Sequence, residues 1–227
     1  MFHEMSRALF APHGYTGANW AMSMAERFAF VGLLQHARPR LAIEIGTLDG
    51  GSLGVLAHHA ERVISFDPNP EVAARLAGKH ANVELRTESS LDALPGLIEE
   101  LNSQGTELNF ALVDGDHSEA GVFADISALL RYRPVGPFWI VMHDSFNPDC
   151  RRAMKRIDWA AHPHVHWVDF DFVPGFLNSV PDWEDEMWCG LAVAYLRPEP
   201  RSGDLPTDEL LGRQFERFLP LSPHAEK

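Results

Sequence analysis

The sequence predicts a single α/β domain whose seven-stranded sheet is mostly parallel, carries helices on both faces and takes its last strand antiparallel. Three observations lead there. Short apolar runs alternate with helical patterns from residue 41 onward, which is how a parallel sheet built from strand and helix units reads. The first run, Leu41–Ile45, passes into a glycine-bearing turn, Gly46 to Gly51, that opens a helix at Ser52. The final two runs, Val165–Phe172 and Leu191–Leu196, have no full helix between them, so the last strand returns antiparallel as in a hairpin.

The elements follow in order. Residues 1–38 precede the alternation as a helical cover, with an amphipathic helix expected around Met22–Leu34. After the strand Leu41–Ile45, Ser52–Ala60 reads as a helix and Arg62–Phe66 as a strand that stops at Asp67-Pro68, where the proline ring and its missing N–H end the pairing. Glu71–Lys79 is helical, Val83–Arg86 a short strand, and Leu91–Leu101 a helix behind the Ser89-Ser90 start signal. Leu108–Val113 is a strand, His117–Leu130 a helix, Phe138–Met142 a strand and Cys150–Ala160 a helix. The stretch Val173–Trp188, with two prolines, two tryptophans and four acidic residues, is long for a connection and is expected to be a substrate-facing lid or a subunit contact. Residues 39–196 thus form the core, and 197–227 a tail with a short helix near Thr207–Phe218.

Composition narrows the function classes. The chain has 227 residues with 19 Lys+Arg against 32 Asp+Glu, a net charge of −13 that repels polyanions, so nucleic acid is not the expected partner. The two cysteines, Cys150 and Cys189, make neither metal spacing nor a disulfide framework. No apolar run approaches the roughly 18 residues of a membrane span, and residues 1–25 have no signal-like apolar region, so a cytoplasmic protein without a membrane partner is expected. A homo-oligomer is left open.

In such a sheet, chemistry sits where the strands end. The residues there are Glu44-Ile45-Gly46, Asp67, Ser89-Ser90, Asp114 to His117, and His143-Asp144. The Gly46-x-x-x-Gly50-Gly51 spacing is neither the G-x-G-x-x-G of dinucleotide enzymes nor a P-loop, while the helix begun at Ser52 offers N–H groups to a carboxylate or phosphate. His117 lies three residues after Asp114, close enough to share one cleft, and an imidazole near its ordinary pKa of about 6–7 can take a proton from a hydroxyl. Each residue also has a plain structural reading. Asp67 can form the turn before Pro68, His117 and Asp116 can cap a helix, Ser90 can simply start one, Asp125 can be an ordinary helix residue, and Asp114 and Asp144 can bind backbone amides without a metal.

The run FALVDGDHSEAGVFADISALLRYRPVGPFWIVMHDS, taken with the first turn, resembles the class I S-adenosylmethionine-dependent methyltransferases. The resemblance is to their group of small-molecule O-methyltransferases acting on catechols, macrolide sugars and cephalosporin-type compounds. It covers roughly residues 20–196 and implies a Rossmann-like sheet. Carried over position by position, it implies that Glu44, Gly46, Thr47, Gly51 and Ser52 surround the methionine end of S-adenosylmethionine, and that Asp67 holds the ribose. Ser90 and Leu91 then meet the adenine, and Asp114 lies near the methyl centre. The implied reaction is methyl transfer to a hydroxyl of a sugar or an aromatic diol, with His117 as general base. A divalent cation would be held by Asp114, His143 and Asp144, and an imidazole among the ligands suits Mn²⁺, Fe²⁺ or Zn²⁺ better than Mg²⁺. Three departures are visible: Val135-Gly136-Pro137 replaces a Gly-Gly turn, Glu119-Ala120 replaces an aromatic-acidic pair, and His143 stands where the family has an acid. The alternatives are a non-catalytic domain that binds S-adenosylmethionine and a metal-dependent hydroxylase on the same scaffold.

Overall fold

The computed structural model describes residues 2–179 and 183–223. Ahead of the sheet run α1 (Phe2–Phe10), which the sequence reading did not anticipate, and α2 (Met24–Ala37). The alternating core is β1 (Leu41–Ile45), α3 (Gly51–His59), β2 (Arg62–Phe66), α4 (Pro70–Leu76), β3 (Val83–Arg86), α5 (Ser90–Gln104), β4 (Phe110–Val113), α6 (Glu119–Leu129), β5 (Phe138–His143) and α7 (Pro148–Arg156). There follow β6 (Val165–Val173), β7 (Phe176–Leu177), β8 (Met187–Trp188), β9 (Leu191–Leu196), β10 (Thr207–Asp208) and α8 (Gly212–Phe218).

Helix starts are set by side chains that accept orphan backbone N–H groups: Ser23 for α2, Asn69 for α4, Ser89 for α5, Ser118 for α6 and Asn147 for α7. Because Ser118 is the cap, His117 lies just outside α6 and not at its first position as expected. The helix expected over Cys150–Ala160 stops at Arg156, and a separate 3-10 turn covers Trp159–Ala161.

The main sheet runs β3-β2-β1-β4-β5-β9-β6-β10, with β1 to β5 mutually parallel and β9 antiparallel to both β5 and β6. Every residue of β1 and β4 is buried, as expected for strands covered on both faces. Alternation along β1 sends Ile43 and Ile45 to a core with Leu94, Ile98 and Ile126, and Ala42 to the opposite core with Phe30, Leu34 and Leu53. The chain leaves β1 toward β2 and β3 and later resumes at β4 on the other side, so the strand order reverses between β1 and β4 and opens a crevice beyond their carboxyl ends.

Two segments depart from the sequence reading. The expected helix near Thr207–Phe218 starts only at Gly212, because Thr207 and Asp208 pair with Val168 and Asp169 as an eighth, edge strand. Trp167 donates to the Asp208 carboxylate at 2.7 Å and Val168 N donates to Pro206 O at 3.2 Å, partners that no local periodicity reveals. Within Val173–Trp188, β7 and β8 pair as a separate two-stranded ribbon, and residues 180–182 of that stretch lie outside the described residues. Among the described residues no helix is long and apolar enough to cross a membrane.

Candidate active site

The turn after β1 is pressed against the end of β4. Gly46 has φ +90, and a Cβ there would sit 2.0 Å from the carbonyl oxygen of Asp114, so only glycine permits both the backbone conformation and the approach. Gly51 lacks a side chain for another reason: its Cβ would meet the Asn19 carbonyl at 2.4 Å, so the segment before α2 packs onto the start of α3.

Beneath the turn lies a buried polar network. Ser52 and Ser65 each donate a hydroxyl to the Glu44 carboxylate at 2.6 Å, and Ser65 and Thr47 share a hydrogen bond of 2.5 Å. Burial pushes the Glu44 carboxyl up to about 7 against these hydrogen bonds. Above it, Asp67 accepts from Thr47 N at 3.2 Å and Leu48 N at 2.9 Å through one oxygen and from Asn69 N at 3.0 Å through the other. Asp67 therefore braces the turn while facing the crevice.

The crevice is a cavity of about 610 Å³, inside the usual range for small-molecule sites. Gly46, Thr47, Gly51, Ser52, Asp67, Asp114, His117, His143 and Asp144 are all on its wall. Glu44, Ser90 and Leu91 are not. Glu44 is wholly buried under the turn, Ser90 opens α5 behind its Ser89 cap, and Leu91 is exposed outside the cavity. Of the five described non-glycine residues with positive φ, three line this space: Leu48 at +46, Asp144 at +54 and Cys189 at +64. Such backbone costs about 1–3 kcal/mol per residue and persists only where the surroundings hold it.

At the mouth of β4 and β5 the ionisable groups converge. His143 Nδ1 is 2.8 Å from Asp114 Oδ1 and 3.1 Å from Asp144 Oδ2. His117 Nε2 is 3.1 Å from Asp144 Oδ2 and 3.7 Å from Asp114 Oδ1. Asp144 also accepts from Cys189 N at 2.7 Å, and burial, which would raise its carboxyl, is outweighed by the two histidines, which hold it well below the carboxylate range. The Asp114 and Asp144 carboxylates raise His117, whose side chain is 42% exposed, to about 9, which corrects the ordinary histidine value expected from the sequence. Burial opposes a charge on His143, yet the same carboxylates keep it protonated well above its usual range.

Glu26 is a site residue that sequence reasoning missed. Its side chain is fully buried, one oxygen accepts from Ser23 N at 2.6 Å, and the other lies 3.2 Å from His143 Nε2. Ser23-x-x-Glu26 is a capping box, so the available signal pointed to a helix start and not to a role beside β5.

One donor atom each from Asp114, His143 and Asp144 fall within 4.8 Å of one another, as do atoms of Glu26, His143 and Cys189. A carboxylate faces each ring nitrogen of His143. A neutral imidazole has one N–H and can donate to only one of them, whereas the protonated ring has an N–H for each.

Residues 43–145 match the family model described as a methyltransferase domain. A rhamnosyl O-methyltransferase from Mycobacterium bovis (strain BCG / Pasteur 1173P2) is 25% identical over 179 residues, which is 76% of this chain and 66% of the relative. The chain therefore spans just under two thirds of the length of the curated relatives it matches. Among solved structures, an O-methyltransferase from Bacillus cereus in complex with S-adenosylhomocysteine superposes with a TM-score of 0.56 at 18% identity, covering 86% of this chain and 90% of the other. The O-methyltransferase TomG from Streptomyces achromogenes, in complex with S-adenosylmethionine, gives 0.55 at 18% identity over 87% and 88% of the two chains. The chain thus shares their fold, and the matched residues take in the end of β1, its turn, and the ends of β4 and β5.

Proposed function

We propose that this chain, whose residues 43–145 match a methyltransferase domain, transfers the methyl group of S-adenosylmethionine to a hydroxyl of a small, sugar-like molecule. One observation carries the reading: the Gly46–Ser52 turn and the group formed by His117, Asp114 and Asp144 open into the same cavity at the strand-order reversal. The sulfonium donor is already activated, so the protein has to align an acceptor oxygen with the methyl carbon and receive its proton. His117 Nε2 receives the proton, and Asp114 and Asp144 stabilise the imidazolium that forms. A domain that only bound the cofactor would have no use for that trio beside it. Incubation with methyl-labelled S-adenosylmethionine and glycoside or diol acceptors tests the reading, and label that never leaves the donor in a protein that binds S-adenosylhomocysteine would overturn it.

Asp67→Ala should weaken S-adenosylmethionine binding about 5- to 150-fold, the range for leaving a buried polar partner unpaired at about 1–3 kcal/mol. Because Asp67 also accepts from Thr47 N and Leu48 N, the loss includes loosening of the turn. Unchanged affinity by calorimetry in a folded variant would remove Asp67 from the ribose.

A divalent cation would be held by Asp114, His143 and Asp144, with the Glu26 carboxylate 3.2 Å from the other ring nitrogen of His143, Nε2. Bound there, the ion supplies Lewis acidity toward an acceptor hydroxyl. Metal-stripped protein should regain activity with Mn²⁺, Fe²⁺ or Zn²⁺ at least as well as with Mg²⁺. Full activity in chelator, with no metal by elemental analysis, would leave Asp144 as a purely organising carboxylate.

A further inference from the structure

Part of the cavity wall is formed by Asn178, Trp183, Trp188 and Cys189, in and beside the β7–β8 ribbon, and its construction bears on the acceptor. Trp183 and Trp188 stand there with ring centroids 6.4 Å apart and planes at 84°, and Trp188 is in turn edge-to-face with His117, 5.5 Å apart at 89°. An aromatic corner therefore leads from solvent to the imidazole. The corner is indexed to the reacting centre by short contacts: Cys189 N donates to Asp144 Oδ1 at 2.7 Å, Phe146 N to Cys189 O at 3.0 Å, and Ser145 N to Gly190 O at 3.2 Å. The Trp188 indole N–H donates to Glu186 at 2.6 Å, which sets the ring plane. Trp183 is 53% exposed although it lines the cavity, and an indole face left in water at the rim of a site is surface awaiting a partner.

Resting on the methyl-transfer reading above, we infer that Trp183, Trp188 and Asn178 form the acceptor subsite and that it takes an uncharged glycoside. Two indole faces at a right angle do not make the parallel slot that grips a flat diol. They suit a puckered ring whose C–H bonds point in several directions, since the negative face of each π-system attracts them. Asn178 and Asn19, both lining the cavity, offer amide donors and acceptors to ring hydroxyls. No Lys or Arg is among the described residues lining the cavity, and its two histidines, His117 and His143, are already paired with Asp114 and Asp144, so a phosphorylated or carboxylated sugar finds no unpaired cation among those residues.

The test is a panel of methyl α-rhamnoside, methyl α-glucoside, rhamnose 1-phosphate and catechol with methyl-labelled donor, alongside calorimetry with S-adenosylhomocysteine. Label is expected on a neutral glycoside and neither on the phosphate nor preferentially on catechol. Trp183→Ala should raise the glycoside KM about 10-fold with kcat and S-adenosylhomocysteine affinity little changed, and Trp183→Phe should recover part of the loss. Catechol turnover with silent glycosides, efficient use of the sugar phosphate, or an unaltered KM in Trp183→Ala would each overturn the inference while leaving methyl transfer intact. Failure of the wild-type protein to bind S-adenosylhomocysteine would instead remove the reading on which it rests, and the inference with it.

Discussion

His117→Ala is expected to lower turnover about 10²–10⁴-fold while leaving S-adenosylhomocysteine affinity little changed, because the imidazole acts on the acceptor hydroxyl and not on the sulfonium. The pH dependence makes the result specific. His117 is raised to about 9 by Asp114 and Asp144, so in metal-free protein the basic form is scarce at neutral pH and activity should climb until pH passes about 9. The variant should lose that limb. A divalent ion on the same carboxylates should draw the limb to lower pH, since it competes with the proton for their charge. The sign for stability is the reverse of that for activity: a raised histidine contributes ion-contact stability in full below its unfolded value of about 6.5, and this is lost as pH rises through about 9. Near-normal turnover of His117→Ala, or a wild-type profile flat between pH 6 and 10, would reassign proton removal to another group.

Asp171→Ala should destabilise the fold by about 3 kcal/mol, the lower end of the range for breaking a buried ion pair. Arg151 and Asp171 both have side chains only 2% exposed, and they pair through both guanidinium nitrogens at 2.9 and 3.2 Å. The variant leaves a buried guanidinium with Glu209 at 2.9 Å and the Ser145 and Phe170 carbonyls at 3.1 and 3.5 Å. It also removes the acceptor of Leu211 N, 2.8 Å away, which ties the stretch before α8 to β6. Chemical denaturation should therefore show a lower midpoint in Asp171→Ala, largely restored by adding Arg151→Met, which removes the unpaired charge. An unchanged midpoint in the single variant would mean that Glu209 alone suffices.

Much of this architecture is written in short-range chemistry. The runs Leu41–Ile45 and Phe138–Met142, the glycines that admit positive φ and the serine and asparagine caps act within a few residues of themselves, so the order of strands and helices and the antiparallel last strand were legible in one dimension. Because that order places strand ends at one edge, the gathering of Asp67, Asp114, His117, His143 and Asp144 on one wall followed from the same reasoning. Other features depended on partners distant in sequence. Glu44 shares its strand face with Ala42, and only the packing of α3 and β2 against it decides that it braces the turn from below. Glu26 looks like a capping residue until α2 is laid against the end of β5, 117 residues later in the chain (143 − 26), where its second oxygen meets His143. Thr207–Asp208 became an edge strand because β6 offered hydrogen bonds that a helix there could not match. The pKa of His117 likewise belongs to no segment. It is set by two carboxylates, one from each of two strand ends, and local pattern carries no information about the few ångströms that separate groups brought together by tertiary packing.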